Sequence, residues 1–441
     1  MTSLYDRLLA QGPTRVVSHE TLAADAAVVG LLRDGAEVPS AGEGEQVEVV
    51  LDSTPFYAES GGQEADAGRI TGDGLDLEVL DVQRPVKGLV LHTVRVAAGE
   101  LAPGRPVRAE VDPEWRLGAC QAHSATHILH AALRQVLGPD ALQAGSYNKP
   151  GYLRLDFSWP EQLSPETRSE VEEVANLAVR ADLPVRAFVT TLPRARELGA
   201  LALFDETYDE QVRVVEIGGD WSRELCGGTH VAHSAQVGPL ALTTEASVKA
   251  GQRRVEALVG RDYLAFVRRQ RAIVDALTGQ LRVPAEEVPD RVLVLADRLR
   301  AAEKELDRLR AEVVLAGAAT LARGAADVGG VAVVAAEVPG VGGGDLRTLA
   351  LDVRDRLGAD RAGLVALIGA AEDKVSFVVT TTEQGRRRGL SAGAVVRAMA
   401  PPVGGRGGGR DDMAQGGGTE PGGIAEALRL VERLVGEQVG A

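Results

Sequence analysis

Cysteine is scarce in this 441-residue chain: only Cys120 and Cys226 are present, too few to build a disulfide framework, so each is weighed as a thiol. Long apolar runs are missing as well. No stretch approaches the roughly 18 consecutive apolar residues that a membrane span requires. The opening MTSLYDRLLAQGPTR has neither a basic leader nor an apolar core, so a cytoplasmic protein with no membrane partner is expected. Internal repeats are not evident. Positive charge is in deficit: a formal charge of -15 argues against a whole surface given over to nucleic acid, since like charge repels phosphate over a Debye length of roughly 8 Å. The deficit is uneven, however. Gly385 to Arg410 contains Arg386, Arg387, Arg388, Arg397, Arg406 and Arg410 and no acid, which reads either as a phosphate-facing stripe or as a flexible Arg/Gly segment.

What is present suffices for a folded core: 45% of residues are hydrophobic and 25% charged, and the length implies about two to four domains. The expected class is multidomain α+β. Over residues 1–110, β-rich runs (VEVVLD at 47–52, LEVLDV at 77–82, LVLHTVRV at 89–96) alternate with Gly/Pro/Asp turns, which predicts a small antiparallel barrel or sandwich. Residues 111–260 change period: ACQAHSATHILHAALRQVL has helical spacing, YLRLDF is strand-like, and Ser164 is placed to cap a second helix. Residues 261–325 read as two helices broken by Pro284 and Pro289. Leu295, Leu299, Ala302, Leu306, Leu309 and Val313 stand at heptad spacing, which predicts an antiparallel hairpin serving as a spacer; a helical pair packed flat on a domain is the alternative. Residues 326–441 alternate strand and helix patterns, as in an α/β domain with a mixed sheet.

His123 and His127 lie four apart on the expected helix, so both imidazoles project from one face and can share a metal ion. Cys226 and His230 repeat that separation within Cys-Gly-Gly-Thr-His, where the glycines allow close backbone approach. One thiolate and three imidazoles suit Zn2+. Four protein ligands would close a tetrahedral shell, whereas a catalytic zinc normally keeps a position for water; the sequence leaves both open. His130 and His233 read as neighbours that orient the site, and Cys120 as buried filler. At Thr54-Pro-Phe-Tyr-Ala-Glu-Ser-Gly-Gly-Gln63, the Gly61–Gly62 pair permits a tight turn, and Gln63 offers a donor and an acceptor for an ester or ribose hydroxyl.

TPFYAESGGQ, HSATHILHAALRQVLG, YLRLDF, ELCGGTHV and GQRRVEALVG, in this order, resemble the editing domain of alanyl-tRNA synthetase and of free-standing AlaX-type editing proteins. VGGRGGGRDDMAQGGG resembles the glycine-rich signature of the synthetase's tRNA-binding C-terminal domain, also found in DHH-family phosphoesterases. Cys-Gly-Gly-Thr-His distinguishes the group from the threonyl-tRNA synthetase editing domain. The resemblance implies that His123, His127, Cys226 and His230 hold zinc where the aminoacylated 3′ end of tRNA(Ala) is received. It places Cys226, Gln63 and Thr54 in the deacylation pocket, with Thr54 sensing a serine hydroxyl or, alternatively, merely closing a strand. Arg253 and Arg254 match a family segment, either touching tRNA or pairing with Glu256. Arg386, Arg387, Arg388, Arg406 and Arg410 are the further tRNA-binding candidates.

The resemblance thus implies hydrolysis of mischarged Ser-tRNA(Ala) and Gly-tRNA(Ala) in trans. Its rivals are one half of a split or truncated synthetase and a non-catalytic tRNA-binding protein. The expected partners are tRNA(Ala) and, through the C-terminal domain, a second copy of the chain. The departures are an acidic Asp205–Glu210 loop in place of a lysine-bearing one, Ser124 within the His pair, and Asp411 in place of a proline. The family's aminoacylation core has no room before residue 40, so charging of tRNA by the family route is not expected.

Overall fold

The computed structural model describes residues 2–202, 209–371 and 374–439. The chain clusters into two compact units, one ending at Leu277 and the other beginning at Thr278. A short helix α1 (Thr2–Leu9), absent from the sequence expectation, starts the first unit. Six strands of five or more residues follow: β1 (Ala23–Arg33), β2 (Gln46–Leu51), β3 (Gly68–Gly72), β4 (Leu75–Val86), β5 (Leu89–Ala98) and β6 (Pro106–Val111). They pair antiparallel in the order β1-β2-β5-β4-β3-β6, and β6 returns to β1, closing a barrel without a free edge. Strict alternation of exposed and buried residues along β6 shows why such a sequence becomes a wall with one wet face. Val49, Leu51, Phe56, Ile70, Leu77 and Val94 fill the inside. Leu4 and Leu8 of α1 cover Leu32, Val50, Leu89 and Leu91 outside it.

Helix α2 (Pro113–Leu137) follows the barrel directly. The Asp112 carboxylate accepts the N–H groups of Glu114 and Trp115, and Pro113 fits the first turn, so the start is fixed by sequence chemistry. The helix is buried from Ala119 nearly to its end. It packs with α3 (Pro165–Arg180, capped by Ser164 as expected) on an antiparallel sheet of β7 (Gln143–Lys149), β8 (Tyr152–Ser158), β12 (Ala241–Lys249) and β13 (Gln252–Leu258), ordered β7-β8-β13-β12. A smaller sheet, β9 (Val185–Thr191), β10 (Gln211–Ile217) and β11 (Ser222–Leu225), leads into the Cys226 loop.

The helical region is broken where Pro284 requires it, between α4 (Gly260–Leu281) and α5 (Val288–Ala316). The expected hairpin seam is not buried. α4 has no buried residue, and Leu295, Leu299, Leu306, Leu309 and Val313 of α5 are all exposed. Heptad spacing specifies a stripe on a helix; it does not supply a surface to cover it.

In the second unit a mixed sheet has β14 (Ala326–Val328), β15 (Val331–Glu337), β16 (Gly363–Ala371), β17 (Lys374–Thr381), β18 (Arg406–Gly409) and β19 (Met413–Gly418), ordered β14-β15-β16-β17-β19-β18, with β15 and β16 parallel. Both faces are covered. Leu346, Leu349 and Val353 of α6 (Gly343–Leu357) meet Ala332 and Val334. Val395 and Met399 of α7 (Ala392–Met399) and Val431 of α8 (Ile424–Val439) meet Val331 and Val333. Hence VAVVAAEV reads as continuous apolar rather than alternating. Gly416 of β19 is a packing device: a Cβ there would stand 2.4 Å from the Phe377 ring. Among the described residues no helix is long and apolar enough to cross a membrane.

Candidate metal centre

His123 and His127 stack on one face of α2 with ring centroids 5.2 Å apart. Opposite them, the loop leaving β11 turns Cys226 and His230 inward, and one donor atom from each of the four residues lies within 4.8 Å of the others. Cys226 Sγ is 3.3 Å from Nε2 of His123 and 3.3 Å from Nε2 of His230. Burial pushes the Cys226 thiol up, but the facing histidines outweigh it and hold it well below the ordinary cysteine value.

The outer nitrogens are held from behind. His123 Nδ1 is 2.7 Å from Gln63 Oε1, and His230 Nδ1 is 3.2 Å from Ser124 Oγ. His127 Nδ1 is 2.9 Å from Glu224 Oε2 without the angle of a hydrogen bond, and its buried Nε2 has no hydrogen-bond partner among the described residues. His130 completes the backing: its Nε2 accepts the Gln143 N–H at 3.1 Å, so its Nδ1 carries the proton and donates to Glu224 Oε1 at 2.9 Å. A carboxylate behind a ligand imidazole is how metal-binding histidines are commonly oriented. Burial pulls the His127 imidazolium down, yet Glu224 and Cys226 prevail and raise it to about 10. An unpartnered buried imidazole nitrogen facing a thiolate and two more imidazoles is the donor set and the vacancy in hydrogen bonding that a divalent, nitrogen- and sulfur-preferring cation would fill.

Backbone chemistry explains the Gly-Gly pairs. A Cβ on Gly228 would stand 2.0 Å from His123 Cε1, and one on Gly62, at φ +82°, would stand 2.3 Å from the Ser146 carbonyl oxygen. Arg213 pins the loop by donating to the carbonyls of Cys226 and Gly228 at 2.9 Å each. Gln63 is fully buried: its Oε1 also accepts the Thr229 N–H, and one Nε2 proton goes to Thr229 Oγ1, both at 2.9 Å. This geometry positions His123.

Beside the cluster is a cavity of about 170 Å³ lined by His123, His127, Cys226, Tyr57, Gln143 and Ser146, among others. Thr54 does not line it. Its Oγ1 is buried 2.7 Å from His92 Nε2, and His92 Nδ1 donates to the Val49 carbonyl, so the Thr54 hydroxyl serves as donor to a barrel-core histidine. Thr54→Val is therefore expected to lower unfolding stability by about 1–3 kcal/mol, the cost of an orphaned buried acceptor, and to leave substrate selectivity unchanged. Denaturation curves at wild-type stability, or altered selectivity for serine, would return Thr54 to the substrate.

Most of the other residues singled out in the sequence have partners of their own. Arg253 and Arg254 pair with Glu245 and Asp156 rather than Glu256, because those carboxylates come from neighbouring strands. Arg387 pairs with Glu383, Arg410 lies 3.5 Å from Asp412, Arg386 donates to the Thr381 carbonyl, and Arg388 donates to the carbonyls of Gly329 and Gly330. Arg406 is exposed on the edge strand β18. His233 is a surface residue 3.6 Å from Asp182. Of the acidic loop, Asp205 to Tyr208 fall outside the described residues, and Asp209 pairs with Lys87 at 3.0 Å. Residues not foreseen are Glu224, Gln143, Ser146 and Arg213. For Glu224 a signal existed: an acid two positions before a candidate ligand is placed to back a neighbouring imidazole.

Three family models match the chain: tRNA synthetases class II (A) over residues 3–115, the threonyl and alanyl tRNA synthetase second additional domain over 212–256, and the DHHA1 domain over 330–437. The alanine–tRNA ligase of Nocardia farcinica is 51% identical over 99% of this chain and 49% of its own length. That of Paenarthrobacter aurescens is 52% identical over 97% and 48%. The C-Ala domain of Aquifex aeolicus alanyl-tRNA synthetase matches 25% of this chain and 97% of that domain at 28% identity, with a TM-score of 0.24. The chain spans about half the length of the curated relatives it matches. Its homologues are alanine–tRNA ligases, and it corresponds to the C-terminal half of such an enzyme.

Proposed function

We propose that the chain hydrolyses the ester of mischarged Ser-tRNA(Ala) and Gly-tRNA(Ala), with residues 111–260 as the deacylase part and residues 326–441 supplying tRNA affinity. One observation carries this reading: the three imidazoles and one thiolate converge, each backed from behind, beside a cavity of about 170 Å³, in a chain matching the threonyl and alanyl second additional domain. The unpartnered His127 Nε2 and the donor set favour Zn2+, held by His123, His127, Cys226 and His230. When bound, the ion supplies a fixed positive centre beside the cavity.

The chain's own residues do the rest. Gln63, Ser124 and Glu224 keep the histidines in register. Backbone N–H groups of the glycine turns polarise the ester carbonyl. An aminoacyl ester is already activated, so water suffices as nucleophile: its oxygen bonds to the carbonyl carbon, the ester C–O bond breaks, and the proton passes to the departing ribose oxygen. Arg253, Arg254, Arg386, Arg387, Arg388, Arg406 and Arg410 are proposed to contact tRNA phosphates. Of these, Arg386, Arg388 and Arg406 have no acid partner among the described contacts, and Arg406 is exposed on the edge strand β18. A cytoplasmic place beside translation and pairing with a second copy through residues 326–441 belong to the same proposal.

Purified protein is expected to hold about one zinc per chain and to release serine and glycine from Ser- and Gly-tRNA(Ala) much faster than alanine from Ala-tRNA(Ala). Metal-free protein that hydrolyses at full rate would remove the ion from the reading, and stable esters in the presence of zinc-loaded protein would remove the reading itself. Coverage of only half of each relative favours a second reading, that the chain works as one half of a synthetase. Hydrolysis that appears only when the other half is added would establish it.

A further inference from the structure

The cavity beside the cluster carries hydroxyl or amide side chains from Tyr57, Ser60, Thr126, Gln143 and Ser146. Two of them have already committed their protons. Thr126 donates back to the Ala122 carbonyl at 2.9 Å, and Tyr57 donates to the Ser60 carbonyl at 3.0 Å. Ser146 differs: its Oγ accepts from Gln143 Nε2 at 3.1 Å, which fixes the oxygen, while its proton has no acceptor among the described contacts. Gln143 Oε1 is likewise without a donor there. The pair therefore presents one unused donor and one unused acceptor side by side, the complement of a hydroxyl, which both accepts and donates.

The pair is also anchored, which the Ser60 hydroxyl is not. The Gln143 N–H donates to His130 Nε2, His130 donates to Glu224, and Glu224 backs His127, so the wall of the cavity is tied to the cluster itself. On the other side Gly62 lies so close that a Cβ there would stand 2.3 Å from the Ser146 carbonyl oxygen and 2.8 Å from its Oγ. A reader of substrate needs this rigidity, because a wandering hydroxyl pays in entropy what it gains in selectivity.

We propose that Ser146, oriented by Gln143, is the specificity-determining residue that reads the side-chain hydroxyl of a serine ester, donating to that hydroxyl while Gln143 Oε1 accepts from it. The proposal rests on the deacylase reading above and adds the residue that tells serine from an amino acid without a hydroxyl. A cavity of about 170 Å³ admits a small side chain and excludes a bulky one, so size sets the upper limit and this pair sets the chemistry within it.

The test compares hydrolysis of Ser-tRNA(Ala) and Gly-tRNA(Ala) in single turnover, with bound metal measured on the same samples. Ser146→Ala is expected to lower the serine-to-glycine rate ratio by a factor of roughly 5 to 150, the range for losing one buried hydrogen bond, while the glycine rate and the metal content stay at wild-type levels. Gln143→Met, which keeps the volume and removes the amide, is expected to lower the ratio in the same direction, and Ser146→Thr, which keeps the hydroxyl, to preserve it. An unchanged ratio in folded, metal-loaded Ser146→Ala and Gln143→Met overturns the assignment and leaves the deacylase reading standing. Equal loss of both rates also overturns it, by making the pair structural. Wild-type protein inactive on both esters overturns the deacylase reading and this proposal with it.

Discussion

Cys226→Ala is expected to lose bound zinc and to hydrolyse mischarged esters at least ~100-fold more slowly than wild type. The floor comes from ligand-orienting partners, whose loss alone typically costs about 10–100-fold in metal affinity or activity; a direct donor should exceed that. Cys226 Sγ is the atom on which His123 and His230 both converge, and it also receives the Gly228 N–H at 3.4 Å. Alanine would leave the imidazoles in place without the one anionic donor that balances a dication. The chain should still fold, because Cys226 contributes little to the apolar core around α2 and α3. It should also keep its affinity for tRNA if residues 326–441 carry that affinity. Elemental analysis, a tRNA binding isotherm and a deacylation time course on the same preparation separate these effects. A folded variant with full metal and normal hydrolysis would sink the role of Cys226.

Arg116→Met is expected to destabilise the first unit by about 3–5 kcal/mol, the cost of leaving one partner of a buried ion pair uncompensated. Asp66 is fully buried, and Arg116 clasps it with Nε and Nη2 while donating to the Ser18 carbonyl at 2.7 Å and the Pro55 carbonyl at 2.9 Å. Asp66 also accepts the Tyr57 N–H at 2.7 Å. The guanidinium therefore gathers three stretches of the barrel part onto the first turn of α2. Replacing both partners, Arg116→Met with Asp66→Leu, should recover much of the loss, because the penalty lies in the orphaned carboxylate rather than in the missing attraction. Gln63 lies on the stretch between Pro55 and Asp66, so the single variant should also bind metal more weakly. Chemical denaturation showing less than about 1 kcal/mol of change would mean that water or another cation takes over the carboxylate.

Much of this was legible in the sequence, for local reasons. The barrel strands announced themselves by alternation between turns, α2 by its periodicity, and the four donors by two four-residue spacings on elements that could present them. What could not be read depends on which distant segments lie side by side. Arg254 sits two residues from Glu256 on one face of β13, but the register with β8 sets Asp156 directly opposite, and the cross-strand partner wins. Gln143 and Ser146 reach the cavity because Asn148 of the same strand pairs with Gln63, a contact across 85 positions that no spacing rule encodes. The resemblance offered Thr54 either as a pocket residue or as the close of a strand; it ends the short strand Ser53–Thr54, and the fold turns its hydroxyl toward His92. The heptad pattern of α5 was real as a pattern, yet its leucines remain in solvent.

Gln63 belongs to the barrel side of the first unit and His123 to α2, so the hydrogen bond between them makes the two parts share one free-energy balance. Anything that binds the assembled cluster, and not the unfolded chain, draws the whole arrangement toward the folded state by mass action. At a free concentration 100 times its dissociation constant it would add about 2.7 kcal/mol. That gain would register far from the cluster, as slower amide exchange and slower proteolysis in barrel strands that touch no ligand, so the closed barrel becomes a remote reporter of occupancy.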